Sequence, residues 1–166
     1  MLNTHFMTDM SQIDDQTAAY VLEQRKHFED LRQVAAQLAG LLVLAAAGAN
    51  GAAPGHPLLE TAEQLFHDAA DGIRSARVPL RARQHHHRVV AAIAAIRHAL
   101  DAAQTHLGRQ SPPGDLDPIL VALRAGYTHL QRAADALPGF DMIAFDRGCC
   151  ARSESGLSRS DRGVLR

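Results

Sequence analysis

Apolar residues recur at alternating steps of three and four in four separate segments of this chain, and that period commits it to helices. A helix turns about 100° per residue, so such stepping gathers side chains onto one stripe, whereas a strand needs alternation at every second residue. The first stripe runs through Phe28, Leu31, Ala35, Leu38, Leu42 and Ala45, the second through Leu59, Ala62, Phe66, Ala69, Ile73 and Ala76. The third can be traced through Ala82, His86, Val89, Ile93, Ile96, Leu100, Ala103 and Leu107, and the fourth through Leu120, Leu123, Tyr127, Leu130, Ala134 and Leu137. Composition agrees: alanine is about 18% of 166 residues, aromatics are 4% and tryptophan is absent, where strands would draw on β-branched and aromatic side chains.

Punctuation between the stripes sets the boundaries. Ser11 and Thr17 can each cap the first helix, and Asp14 and Asp15 suit its positive end. Past Ala39 this helix becomes apolar all round, which predicts that its second half is enclosed by neighbours, while the N-terminal half of so long a helix overhangs, bends or packs on another subunit. Gly48, Asn50 and Gly51 end it, and Pro57 suits the first position of a second helix reaching about Ala76. Val78 and Pro79 interrupt, and a third helix restarts at Pro79. Asp117 before Pro118 reads as the cap of a fourth, which stops at Pro138 and Gly139.

The expected fold is therefore all-α: a four-helix antiparallel up-down bundle with a long first helix, and a C-terminal segment, Phe140, Met142, Ile143 and Phe145, folded over one end. Residues 1–11 read as a loose lead-in, 12–146 as one domain and 147–166 as a mobile basic tail. The apolar run from Leu38 to Ala49 falls short of the roughly twenty residues a membrane span needs. Two adjacent cysteines build no disulfide framework, and no basic segment precedes an apolar run near the start, so the expected compartment is the cytoplasm.

Charge is distributed unevenly. Arg74, Arg77, Arg81, Arg83 and Arg88 lie in a stretch with no acid, so the rest of a chain of net charge -1 carries -6. With His85 and His87, these arginines flank the start of the third helix, whose unpaired N–H groups attract anions, and together they form the candidate surface for an acidic protein or small anionic ligand. Near-neutral overall charge and few aromatics argue against specific nucleic-acid reading.

Ten histidines invite a metal or haem reading, but no two of them lie three or four residues apart, the spacing at which one helix presents two ligands. His86, on the third stripe, is the residue expected to point inward, where an imidazole ligates haem or a metal or else bonds within the core. Glu63 and His67, with Asp71 one turn on, offer a weaker metal set. Cys149 and Cys150, flanked by Arg147 and Arg152, offer reactive thiolates. No phosphate loop, nucleophile elbow or zinc-protease signature occurs, and no family resemblance emerges. The leading expectation is a non-enzymatic interaction or ligand-binding module, with a homo-oligomer through helix 1; the alternative is a metal-, haem- or thiol-dependent sensor or carrier.

Overall fold

The computed structural model describes residues 14–47, 57–107 and 116–142, and among them the chain is helical with no strand. Helix α1 spans Asp15–Ala46, α2 Pro57–Arg74, α3 Arg83–Leu107 and α4 Asp117–Ala136, with a 3-10 turn at Leu80–Ala82 leading into α3.

The cap of α1 is Asp14, neither Ser11 nor Thr17. Its extended backbone turns the carboxylate onto the Thr17 N–H at 2.9 Å and the Thr17 hydroxyl at 3.0 Å. An acid is better here than a hydroxyl because it accepts both hydrogens and carries charge at the positive helix end. These same hydrogen bonds, chiefly that from the Thr17 N–H, hold the Asp14 pKa below its usual value. At α4, Asp117 is the first helical residue; Leu116 takes the cap position and makes no side-chain cap bond.

One continuous core joins the helices. Phe28, Leu31, Leu38 and Leu41 of α1, Phe66 and Ile73 of α2, Ile96 and Leu100 of α3, and Ile119 and Leu130 of α4 are each at most 1% exposed. Burying a side chain of this size contributes about 1.5–3 kcal/mol, so these positions hold the fold against the entropy of ordering it. The most extensive helix–helix contacts are those of α3 with α4 and of α1 with α2.

Small residues explain the α3–α4 contact. The buried stripe of α4 runs through Ile119, Leu123, Gly126, Leu130, Ala133 and Leu137, one residue off the expected Leu120, Tyr127 and Ala134, which are only half-buried. Gly126 and Ala133 let the helices approach; a Cβ at Gly126 would sit 2.8 Å from Cγ1 of Ile96. Tyr127 is thereby turned off the α3 face. On the α1–α2 side, Gly72 gives the His27 ring a notch that a Cβ would fill.

For α1, neither the overhang offered for its N-terminal half nor the enclosure expected of its second half is found. Its N-terminal half does not overhang: Thr17, Tyr20, Gln24 and Phe28 are buried. Its second half is not enclosed, since Ala39 and Gly40 are exposed, Val43 is 69% exposed and Leu44 39%. Helix α1 is also the longest element: its thirty-two residues extend about 48 Å, against about 27, 38 and 30 Å for the 18 of α2, 25 of α3 and 20 of α4.

Candidate functional site

The α2–α3 connection is built from local bonds. The Ser75 N–H reaches the Asp71 carbonyl at 3.0 Å, its hydroxyl reaches the Gly72 carbonyl at 3.0 Å, and the Ala76 N–H reaches Ile73 at 3.3 Å, closing α2 two residues before the expected Ala76. Pro79 is extended and opens the 3-10 turn, in which the Ala82 N–H bonds the Pro79 carbonyl at 3.0 Å and the Arg83 N–H bonds that of Leu80. The α-helix therefore begins at Arg83 and not at Pro79, and the 3-10 turn occupies two N–H groups expected to point at an anion.

Around this turn Arg74, Arg77, Arg81 and Arg83 are exposed, with Arg88 half-buried and His87 exposed. Arg74 pairs with Asp71 at 3.5 Å and Arg81 with Asp14 at 3.8 Å, both solvent-exposed pairs of small energetic weight. Arg77 and Arg83 make no ion pair among the described residues. His85 does not belong to this surface: it is 1% exposed.

His85, not His86, is the inward histidine. Its ring stacks on Phe140 at 4.0 Å between centroids, meets Tyr20 edge-on at 5.7 Å and lies 5.9 Å from Phe28. The Tyr20 hydroxyl lies 3.0 Å from Nδ1 of His85 and 3.4 Å from Nδ1 of half-buried His86. A phenol has one hydrogen, so it can donate to only one of these imidazoles, and at least one of the two rings must present Nδ1–H to the phenol oxygen for both bonds to form.

Burial, reinforced by the nearby His86, lowers the His85 pKa to about 4. Burial also lowers the His86 pKa and raises that of the Tyr20 phenol. All three are therefore neutral near pH 7, and the cluster is a neutral hydrogen-bonded wedge of the core. Gln24 lies on the Tyr20–Phe28 stripe and is 2% exposed; neither its amide nor His85 Nε2 has a hydrogen-bond partner among the described residues.

The metal set on α2 is dispersed into separate pairs. Glu63 accepts from the Gln104 amide, and Asp71 faces Arg74. His67 Nε2 accepts from Arg97 at 3.0 Å, while the Arg97 guanidinium lies over the Phe66 ring at 4.7 Å. Among the described residues, no three His, Cys, Asp or Glu side chains gather where they could hold a metal ion. His86 loses the inward direction on which its haem or metal reading rested. Cys149 and Cys150 lie outside the described residues.

A groove of about 900 Å³ between α1 and α4 has no counterpart in the sequence reading. Its floor is Ala35, Ala36 and Ala39 of α1 facing Leu123 and Tyr127 of α4, with Met142 at one wall and Arg32, Arg124 and Glu29 among its polar lining. The one-residue rotation of α4 toward α3 is the signal that would have placed Tyr127 here. Within the described residues, no helix is long and apolar enough to cross a membrane. Comparison with known protein families, with curated proteins and with solved structures finds no match.

Proposed function

We propose that this chain is a non-enzymatic binding module that uses the arginine-rich turn between α2 and α3 to hold carboxylate or phosphate groups of an acidic partner. The observation that carries this reading is that Arg77 and Arg83 are exposed, with no acid paired to them among the described residues, on the two sides of a short turn. Arg74 and Arg81 extend the surface, though Asp71 and Asp14 offset part of their charge. Arginine suits the role because its planar fork binds both oxygens of such a group and keeps its charge at any physiological pH.

The same reading takes the four helices as an antiparallel up-down bundle. Tyr20 near the start of α1 meets His85 near the start of α3, His27 meets Gly72 near the end of α2, and Phe28 meets Phe140 just past α4. Two helix starts and two helix ends then share one end of the bundle, and the basic turn crowns that end, away from the open flank of α1.

The test is titration of the full chain with a polyglutamate peptide and with inorganic phosphate, at low and at raised salt. Arg77→Glu combined with Arg83→Glu should abolish binding, and binding by the parent should weaken as salt rises. Equal affinity of parent and variant would sink the proposal.

A further inference from the structure

We propose that the groove between α1 and α4 is the seat of this chain's own continuation, residues 143–146. The inference is independent of the basic turn and starts from the course of the chain after α4. At Gly139 the backbone turns with φ 101, and a Cβ there would lie 2.6 Å from Val21 Cγ1. Next, the Phe140 ring packs on Phe28 at 5.1 Å. The Asp141 carbonyl then accepts from Arg32 Nη1 at 2.8 Å, and Met142 reaches the groove wall. Successive residues thus advance along α1 past positions 21, 28 and 32. The next positions on that side are Ala35, Ala36 and Ala39, which are the groove floor.

Length and chemistry fit the same course. From Arg32 to Ala39 the helix rises about 10 Å, and the four residues 143–146 reach about 13 Å when extended. Their sequence is Ile143, Ala144, Phe145 and Asp146: two large apolar side chains for an alanine floor, then an acid for a groove whose charged lining, Arg32 and Arg124 against Glu29, is net positive. Alanines at 35, 36 and 39 make the space, since a larger side chain at any of them would narrow it. The tether matters as well. Arg32 already clasps the chain at the groove mouth, so the segment meets its seat at an effective concentration on the order of millimolar, which a free ligand or second copy must exceed. The segment lies along the flank of α1 and α4, and does not cap an end of the bundle.

Because the chain contains no tryptophan, Phe145→Trp introduces a single fluorescent reporter into the full chain. The seated segment predicts blue-shifted emission shielded from iodide at every protein concentration, and a red shift with loss of shielding when Ala36→Glu is added to the groove floor. Ala36 is exposed, so helical circular dichroism should be unchanged by that addition. As a second readout, Ile143→Ser with Phe145→Ser should raise binding of an apolar dye several-fold over the parent. The proposal is overturned by water-like emission that ignores Ala36→Glu, by a blue shift that appears only as dimers form in sedimentation, or by equal dye binding in parent and serine variant.

Discussion

Arg83 and His85 stand two residues apart at the start of α3, yet one is exposed to water and the other is 1% exposed in the core. The contrast is one of proton freedom. A guanidinium keeps its charge at any pH a protein survives, so it stays where water can solvate it. Imidazole can shed its proton, and burial selects the neutral ring, lowering the His85 pKa to about 4. The same fifteen-residue stretch that looks uniformly cationic is therefore split into an open charged turn and a neutral wedge under it. Perturbing the wedge should cost stability; perturbing the turn should cost only binding.

Phe140→Ala should have the largest effect. Phe140 is 4% exposed and packs on both Phe28 and His85, so its loss opens a cavity beside the imidazole. Phenylalanine-to-alanine changes in a core cost about 3–5 kcal/mol, readable as a fall in the urea midpoint. The His85 pKa, followed by ring-proton NMR, should move up from about 4 toward the ordinary histidine range as water reaches the ring. A loss below 1 kcal/mol with no movement of that pKa would show that the C-terminal chain does not seal the wedge.

Acid should act on the wedge next. Above the unfolded-state pKa of 6.5 both states are neutral and His85 leaves stability unchanged. Between 6.5 and about 4 the unfolded chain takes up a proton that the folded chain refuses, so stability falls as pH falls, by roughly 3 kcal/mol over the whole window, and then levels. His86, also shifted down by burial, adds a slope of the same sign. Denaturant titrations across that range should show the parent losing stability and His85→Gln losing markedly less; identical slopes would mean that His85 is already solvated.

Tyr20→Phe is a smaller perturbation of the same wedge. It keeps the ring but removes the hydroxyl shared by both Nδ1 atoms, leaving His85 without its hydrogen-bond partner inside the core. An unsatisfied buried group of this kind costs about 1–3 kcal/mol. A neutral result would indicate that the Tyr20 hydroxyl contributes no net hydrogen bond to the wedge.

How much of this was legible in the sequence depends on which side chains carried the signal. Large apolar residues announced the helices: Phe28, Leu31 and Leu38 of α1 and all of Leu59, Ala62, Phe66, Ala69 and Ile73 of α2 are buried as their spacing requires. His85 takes the inward direction expected of His86 because two further alanines, off the expected stripe, belong to the buried face of α3. Ala92 and Ala99 are fully buried, and counting them swings the centre of the α3 stripe by roughly 20°, to about 25° from His85 and about 75° from His86. Gly126 and Ala133 shift the phase of α4 in the same way, because a glycine carries no hydropathy signal and Ala133 is indistinguishable by type from its neighbour Ala134. The groove could not be read at all: whether Ala36 and Ala39 face a neighbour or a gap depends on the length and tilt of the other helices, which no local pattern encodes.

The smallest expected effect returns to the charged turn. Arg77 and Arg83 are exposed and make no ion pair among the described residues, so nothing in the fold is lost with their guanidinium groups. Exposed substitutions away from packing and caps usually shift stability by less than about 0.5 kcal/mol. The sign of Arg77→Ala with Arg83→Ala should be slightly favourable, because two positive charges leave a stretch from 74 to 88 that holds five arginines and no acid. That small gain should fade as salt screens the remaining repulsion. Urea midpoints at low and high ionic strength measure both. A destabilisation above 1 kcal/mol would make these arginines structural, and the separation between an open charged turn and a neutral wedge beneath it would fail at the turn.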